Sequence, residues 1–151
     1  MLIDVLSLLP ESWVRHLPVL VVLGPMLLSP ICAAMPKWRI AWALALFGII
    51  TSSVFAFALL QDVMAHGRIS YALGGWAPPH GIEFRIDALN VLVLLLVSSI
   101  ALLTSIFSWP TIKAEIADGK RAMFFGAFQV CFMGLLGVAA TGDAFNLFVF
   151  L

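Results

Sequence analysis

The sequence is short of charge. Asp, Glu, Lys and Arg supply 11% of its 151 residues, against about 25% in a soluble domain. The eight basic and eight acidic residues cancel. A neutral chain lacks the basic field that nucleic acid requires, so nucleic acid is excluded as a partner. Cysteine is almost missing. Cys32 and Cys131 lie in different apolar runs, with no second cysteine or histidine at metal-ligand spacing. Both read as buried packing thiols, and neither reports on redox compartment. The three histidines, His16, His66 and His80, are scattered over connections and predict no metal site. No glycine-rich loop leads from a strand into a helix, and no Ser/His/Asp or Cys/His arrangement is present. Nothing therefore points to an enzyme or calls for a cofactor. The N-terminus lacks a basic n-region, and Asp4 and Glu11 are acidic, so it does not read as a secretory signal.

What fills the chain is apolar surface. Hydrophobic residues reach 63% and mean hydropathy is +1.11. This composition predicts an all-α, polytopic membrane protein, since about 20 apolar residues cross the hydrocarbon as a helix. The runs place four complete spans at residues 17–35, 40–60, 89–109 and 123–141, and residues 144–151 begin a fifth. Pro18 fits the first helical turn, whereas Pro25 and Pro30 predict a kink whose freed carbonyls are met by neighbouring helices. Gln61-Asp62 closes the second span, Pro110 stops the third, and Gly119 marks a turn in the loop before the fourth. The longest connection, 63–86, carries two partly alternating pieces, 69–73 and 82–86, between glycines and Pro78-Pro79. They predict a short β-hairpin outside the lipid. Asp87 reads as the N-cap of the third span.

Orientation follows from the basic residues. Arg15, Arg68 and Arg85 lie on one side; Lys37, Arg39, Lys113, Lys120 and Arg121 lie on the other. Three against five places the first and third loops in the cytoplasm, and the N-terminus and long connection outside it. The expected location is the inner or plasma membrane of the cell.

An ionisable group inside a bilayer is by default functional, and the complete spans contain none at mid-depth. The polar candidates are few. Gln129, in the fourth span, either donates to a water file or bonds a neighbouring helix backbone. Ala127, Cys131, Gly134 and Val138 form a stripe of mostly small residues that invites close helix packing. Asp143 either caps the fifth helix after Gly142 or marks the aqueous mouth of an ion path. Along a helix begun there, the position after Leu151 lies about 13 Å deeper, close to the midplane of a core about 30 Å thick.

The junction Thr141-Gly142-Asp143-Ala144-Phe145-Asn146-Leu147-Phe148-Val149-Phe150 resembles the fourth-to-fifth helix junction of the D subunit of Mrp-type multisubunit Na+/H+ antiporters. Tyr71-Ala72-Leu73-Gly74-Gly75-Trp76-Ala77-Pro78-Pro79-His80-Gly81-Ile82 resembles that family's connection between helices two and three. Asp87-Ala88-Leu89-Asn90 is similar to the start of its third helix. The likeness covers residues 71–151 by motif and the earlier residues by hydropathy. It implies a shared fold with the proton-conducting, antiporter-like subunits of respiratory complex I and membrane-bound hydrogenases, built on inverted repeats. Residues 1–121 would be the three N-terminal helices and 122–151 the opening of the first repeat. The family's fifth-helix glutamate follows the Phe-Val-Phe run, so the 151 residues would be the front of a longer subunit, inactive alone. The implied function is exchange of Na+ or K+ for protons beside other membrane subunits. The alternative is a non-redox, proton-translocating subunit of an oxidoreductase. In either, Gln129, Asp143 and Asn146 are the ion-path candidates.

Overall fold

A backbone in lipid must satisfy its own hydrogen bonds, so each apolar run becomes a helix. The computed structural model describes residues 5–6, 9–76, 81–142 and 144–151, with the side chains of Ala144 and Phe145 excepted. The expectations attached to Asp4, Pro78, Pro79, His80 and Asp143 lie outside the described residues. A short α1 (Glu11–Val14) precedes α2 (Leu17–Ala34) and α3 (Trp38–His66). Strands β1 (Ile69–Ala72) and β2 (Glu83–Ile86) follow, then α4 (Ala88–Glu115), α5 (Asp118–Ala140) and α6 (Ala144–Phe150). By length and composition α2, α3, α4 and α5 can each cross a membrane. The expected all-α polytopic fold is the one found.

α3 and α4 run further at both ends than the apolar runs that predicted them, and α5 starts earlier. The second span does not close at Gln61-Asp62; α3 continues to His66, where the ring bonds the Asp62 carboxylate one turn back at 2.8 Å. Its 29 residues measure about 43 Å at 1.5 Å per residue, well beyond the hydrocarbon. Nor does Pro110 stop the third span, since α4 passes through it to Glu115. Pro110 withholds the N–H that Ile106 C=O would accept, and the neighbouring Ser105 carbonyl collects side-chain donors. Ser105 C=O accepts the Trp42 indole N–H at 2.9 Å and the Ser108 hydroxyl at 2.8 Å. Gly119 is no turn residue either, for α5 already begins at Asp118. Arg121 explains how so little linker suffices. Its guanidinium donates to Lys113 C=O and its Nε to Ile116 C=O, both at 2.7 Å, and it pairs with Asp118. The last carbonyls of α4 are thus met by the first turn of α5.

Proline inside α2 is compensated across the bundle. Pro25 withholds the N–H that Val21 C=O would accept. The Ser52 hydroxyl of α3 donates to that carbonyl at 2.9 Å. The helix therefore continues through Pro25 and Pro30. On its other flank α2 meets α5, where Ser29 Oγ donates to Gly126 C=O at 3.0 Å. A Cβ on Gly126 would stand 3.0 Å from Ser29 C=O and 2.8 Å from Ala33 Cβ, so only glycine admits this approach. The predicted close-packing stripe holds only in its second half: Ala127 and Cys131 are exposed, with Gly126 and Gln129 buried in their place, while a Cβ on Gly134 would stand 3.0 Å from Phe150 C=O of α6. Cys131 is not the buried thiol expected; Cys32 is.

The predicted hairpin forms. Ile69 stands opposite Ile86 and Ala72 opposite Glu83 in antiparallel register, and Leu73 N–H extends the ladder to Ile82 C=O at 2.9 Å. Phe84 and Ile86 are buried while Arg85 between them is exposed, the two-residue alternation of a half-buried strand. Those inward residues seat β2 on the ends of α2, α4 and α5.

Candidate functional site

The candidate site is the break between α5 and α6, together with the polar side chains on either side of it. α5 ends at Ala140 and α6 starts at Ala144. A helix end leaves its last carbonyls without partners, and here the surrounding elements supply them. Asn90 Nδ2 donates to Ala139 C=O at 2.7 Å. Thr141 pairs with Phe84 in a β-bridge, and Gly142 N–H donates to Glu83 C=O at 3.0 Å. The outer hairpin thereby gains a short third segment from the break itself. Phe84 also stacks on Phe150, with centroids 6.3 Å apart, so β2 reaches the far end of α6.

Asn90 occupies this position because of the start of its own helix. Asp87 accepts the Asn90 backbone N–H at 3.0 Å, and Asn90 Oδ1 accepts the Asp87 N–H at 3.3 Å. That reciprocal capping box uses the amide oxygen and leaves the amide nitrogen free to reach α5. Asp87 therefore caps α4, and through Asn90 the same turn braces the break.

Two candidates have described side chains. Gln129 is fully buried; its Nε2 donates to Ala45 C=O of α3 at 3.3 Å, and its Oε1 has no partner among the described residues. The space it fills belongs to Gly48, where a Cβ would stand 2.5 Å from Nε2. Asn146 is 2% exposed and its Nδ2 is likewise unpartnered among the described residues. No hydrogen bond joins the two. Gln129 lies about 16 Å before the end of α5, and Asn146 sits in the first turn of α6. The hydroxyls of Ser98 and Ser105 on α4 are also buried, with no partner among the described residues. Buried polar atoms are normally bonded. These four residues are points at which the bundle can take water or another donor or acceptor. Among the described residues no cluster of His, Cys, Asp and Glu has metal-binding geometry.

The structure adds contacts that the sequence did not show. Asn90 is the brace; its signal was the Asp-x-x-Asn spacing of a capping box. His16 Nδ1 meets Tyr71 Oη at 2.7 Å, tying the start of α2 to the hairpin. Trp38, Trp42 and Trp109 cluster at the opposite end of the bundle, with centroids 4.5 and 4.7 Å apart. Arg121 lies 5.3 Å above the Trp38 ring.

Comparison with known proteins follows the same line. No family model matches the chain. It is 30% identical over 141 residues to the N subunit of the NADH-quinone oxidoreductase of Desulforudis audaxviator, covering 90% of this chain and 28% of that protein. It is 31% identical over 108 residues to the D subunit of the Na(+)/H(+) antiporter of Bacillus subtilis, covering 72% and 20%. To the D subunit of the probable K(+)/H(+) antiporter of Rhizobium meliloti it is 32% identical over 149 residues, covering 92% and 26%. The chain thus spans about a quarter of the length of the curated relatives it matches. Among solved structures, a chain of the membrane-bound sulfane sulfur reductase, an archaeal respiratory membrane complex, superposes with a TM-score of 0.68 at 24% identity. The superposition covers 92% of this chain and 27% of that one, and it establishes the shared fold. The resemblance read from the junction and the hairpin therefore holds: this chain is a homologue of the D subunits of cation/proton antiporters and the N subunits of complex I, similar to about a quarter of such a protein.

Proposed function

We propose that this chain works as part of a membrane subunit in a multisubunit antiporter that exchanges Na+ or K+ for protons. The observation that carries the reading is its 31% and 32% identity to the D subunits of two cation/proton antiporters, over 72% and 92% of its length. The architecture supports it. A transport path needs polar groups at depth that the scaffold leaves uncommitted, and Gln129 and Asn146 are buried, each with one polar atom that has no partner among the described residues. In this reading residues 1–121 are scaffold and 122–151 open the conducting unit. Asp143 stands at its aqueous mouth, with Asn146 and Gln129 along the path. The chemistry is translocation alone, so the subunit is a transporter component and not an enzyme. Its partners are other membrane subunits. The hairpin faces the non-cytoplasmic side with the N-terminus.

The identity to the N subunit of an NADH-quinone oxidoreductase over 90% of the chain favours a second reading, a proton-translocating subunit whose complex does its redox chemistry elsewhere. Everted vesicles separate the two. The gene and its chromosomal neighbours are expressed in a host lacking cation/proton antiporters, and a pH-gradient dye is followed. Dequenching on addition of Na+ or K+ is the expected result. Quenching driven by NADH, with no response to either cation, would replace the first reading by the second.

A further inference from the structure

At the membrane end opposite the hairpin, an open pocket of about 740 Å³ lies between the α2–α3 turn and the start of α5. Lys37 and Arg39 line it, with Trp38 between them and Asp118 on the far wall. The acid is already engaged, since Asp118 pairs with Arg121. Lys37 and Arg39 are exposed and have no acidic partner among the described residues. The pocket therefore carries two uncompensated positive charges. Its indole is fixed in place, with Trp38 packed on Trp109 at 4.5 Å and covered by Arg121 at 5.3 Å. A tryptophan flanked by basic residues at the end of a span sits at headgroup depth.

Directly below, α3 presents an unbroken apolar stripe. Ile40, Ala43, Phe47, Ile50 and Val54 follow helical spacing and are all exposed, Phe47 to 62%. From Ile40 to Val54 the stripe runs about 21 Å, longer than the ~15 Å depth of one leaflet's hydrocarbon. A cationic pocket at headgroup level above an acyl-length apolar stripe matches one amphiphile. We propose that Lys37, Trp38 and Arg39 form a binding site for an anionic glycerophospholipid, its phosphate in the pocket and one acyl chain along α3. A soluble anion would use the pocket and leave the stripe idle. A zwitterionic lipid would use the stripe and bring no net charge to the pocket.

The test titrates the purified protein in detergent with short-chain phosphatidylglycerol, phosphatidylcholine and inorganic phosphate, reading thermal stability. Wild type is compared with K37Q/R39Q and with K113Q/K120Q, which removes two basic side chains from the same membrane end outside the pocket. All four residues are exposed, and melting without lipid confirms that each variant folds. Phosphatidylglycerol is expected to bind wild type and K113Q/K120Q alike and K37Q/R39Q about 30-fold more weakly, the scale set by two basic groups at an anionic surface. Equal affinity for the two lipids would overturn the proposal. So would an equal loss in both double variants, which is the signature of diffuse attraction, or phosphate binding as tightly as phosphatidylglycerol, which assigns the pocket to a soluble anion.

Discussion

Replacing Asn90 with alanine should loosen the break between α5 and α6 from a distance. The side chain makes two contacts with different atoms: Oδ1 accepts the Asp87 N–H, and Nδ2 donates to Ala139 C=O. Losing half of a reciprocal cap costs about 1 kcal/mol. Losing the donor to a partly buried carbonyl at a helix end, where no intrahelical donor exists, adds about 1–3 kcal/mol. Equilibrium unfolding in mixed micelles should therefore show N90A destabilised by about 2–4 kcal/mol, the sum of those terms. N90D divides the loss. A carboxylate still accepts the Asp87 N–H, but it brings no donor to Ala139, so the second contribution alone should be missing. Amide exchange adds a local readout. Thr141 and Gly142 N–H, bonded to Gly137 C=O and Glu83 C=O, should exchange faster in both variants than in wild type. A stability change below about 0.5 kcal/mol in N90A, or wild-type protection of Thr141 and Gly142 in N90D, would refute the brace.

Other expectations follow from single contacts. S52A removes the donor that Pro25 makes necessary at Val21 C=O and should cost about 1–3 kcal/mol in the same unfolding assay. G48A drives a methyl against Gln129 Nε2 and Leu28 Cδ1, at 2.5 and 2.7 Å, and should cost about 1–3 kcal/mol. Adding Q129A should recover part of that loss, because the two effects share one space. Q129L should leave stability within about 1 kcal/mol, since the unpartnered Oε1 disappears with the single bond to Ala45. In everted vesicles Q129L should slow cation-driven dequenching; an unchanged rate at unchanged stability would remove Gln129 from the path.

The spans were legible because hydropathy is a sum over many residues and survives local error. The two hairpin pieces were legible because glycines and prolines bounded short alternating runs. Helix ends were harder to read. Asp62, Pro110 and Gly119 are each helix-ending or loop signals taken alone, and each was overridden by a partner distant in sequence or absent from a hydropathy profile. His66 bonds back to Asp62, Trp42 of α3 braces the turn before Pro110 through the Ser105 carbonyl, and Arg121 collects the end of α4. The first half of the packing face of α5 was misread by one residue for a similar reason. Ala127 and Gly126 are both small, and only the position of α2 decides which of them is approached. At the candidate site, Gln129 was visible as a polar residue in an apolar run. Its one-sided bonding was not, because that depends on Gly48 of another helix. Asn90 stood in view as part of a motif, but its reach to Ala139 spans 49 residues of sequence.

The Arg121 clasp has a consequence for the order in which the bundle is assembled. Its hydrogen bonds close only between the end of α4 and the start of α5, so these two helices become a unit as soon as both are made. With just Ile116 and Ala117 between them, they have little freedom to insert separately. Trp38, the ring beneath the guanidinium, comes from a helix synthesised long before. Arg121 thus joins the α4–α5 turn to the first ring of α3, its own charge paired with Asp118. Removing that arginine would leave every helix its apolar length and still take away the contacts that join the α4–α5 turn to α3.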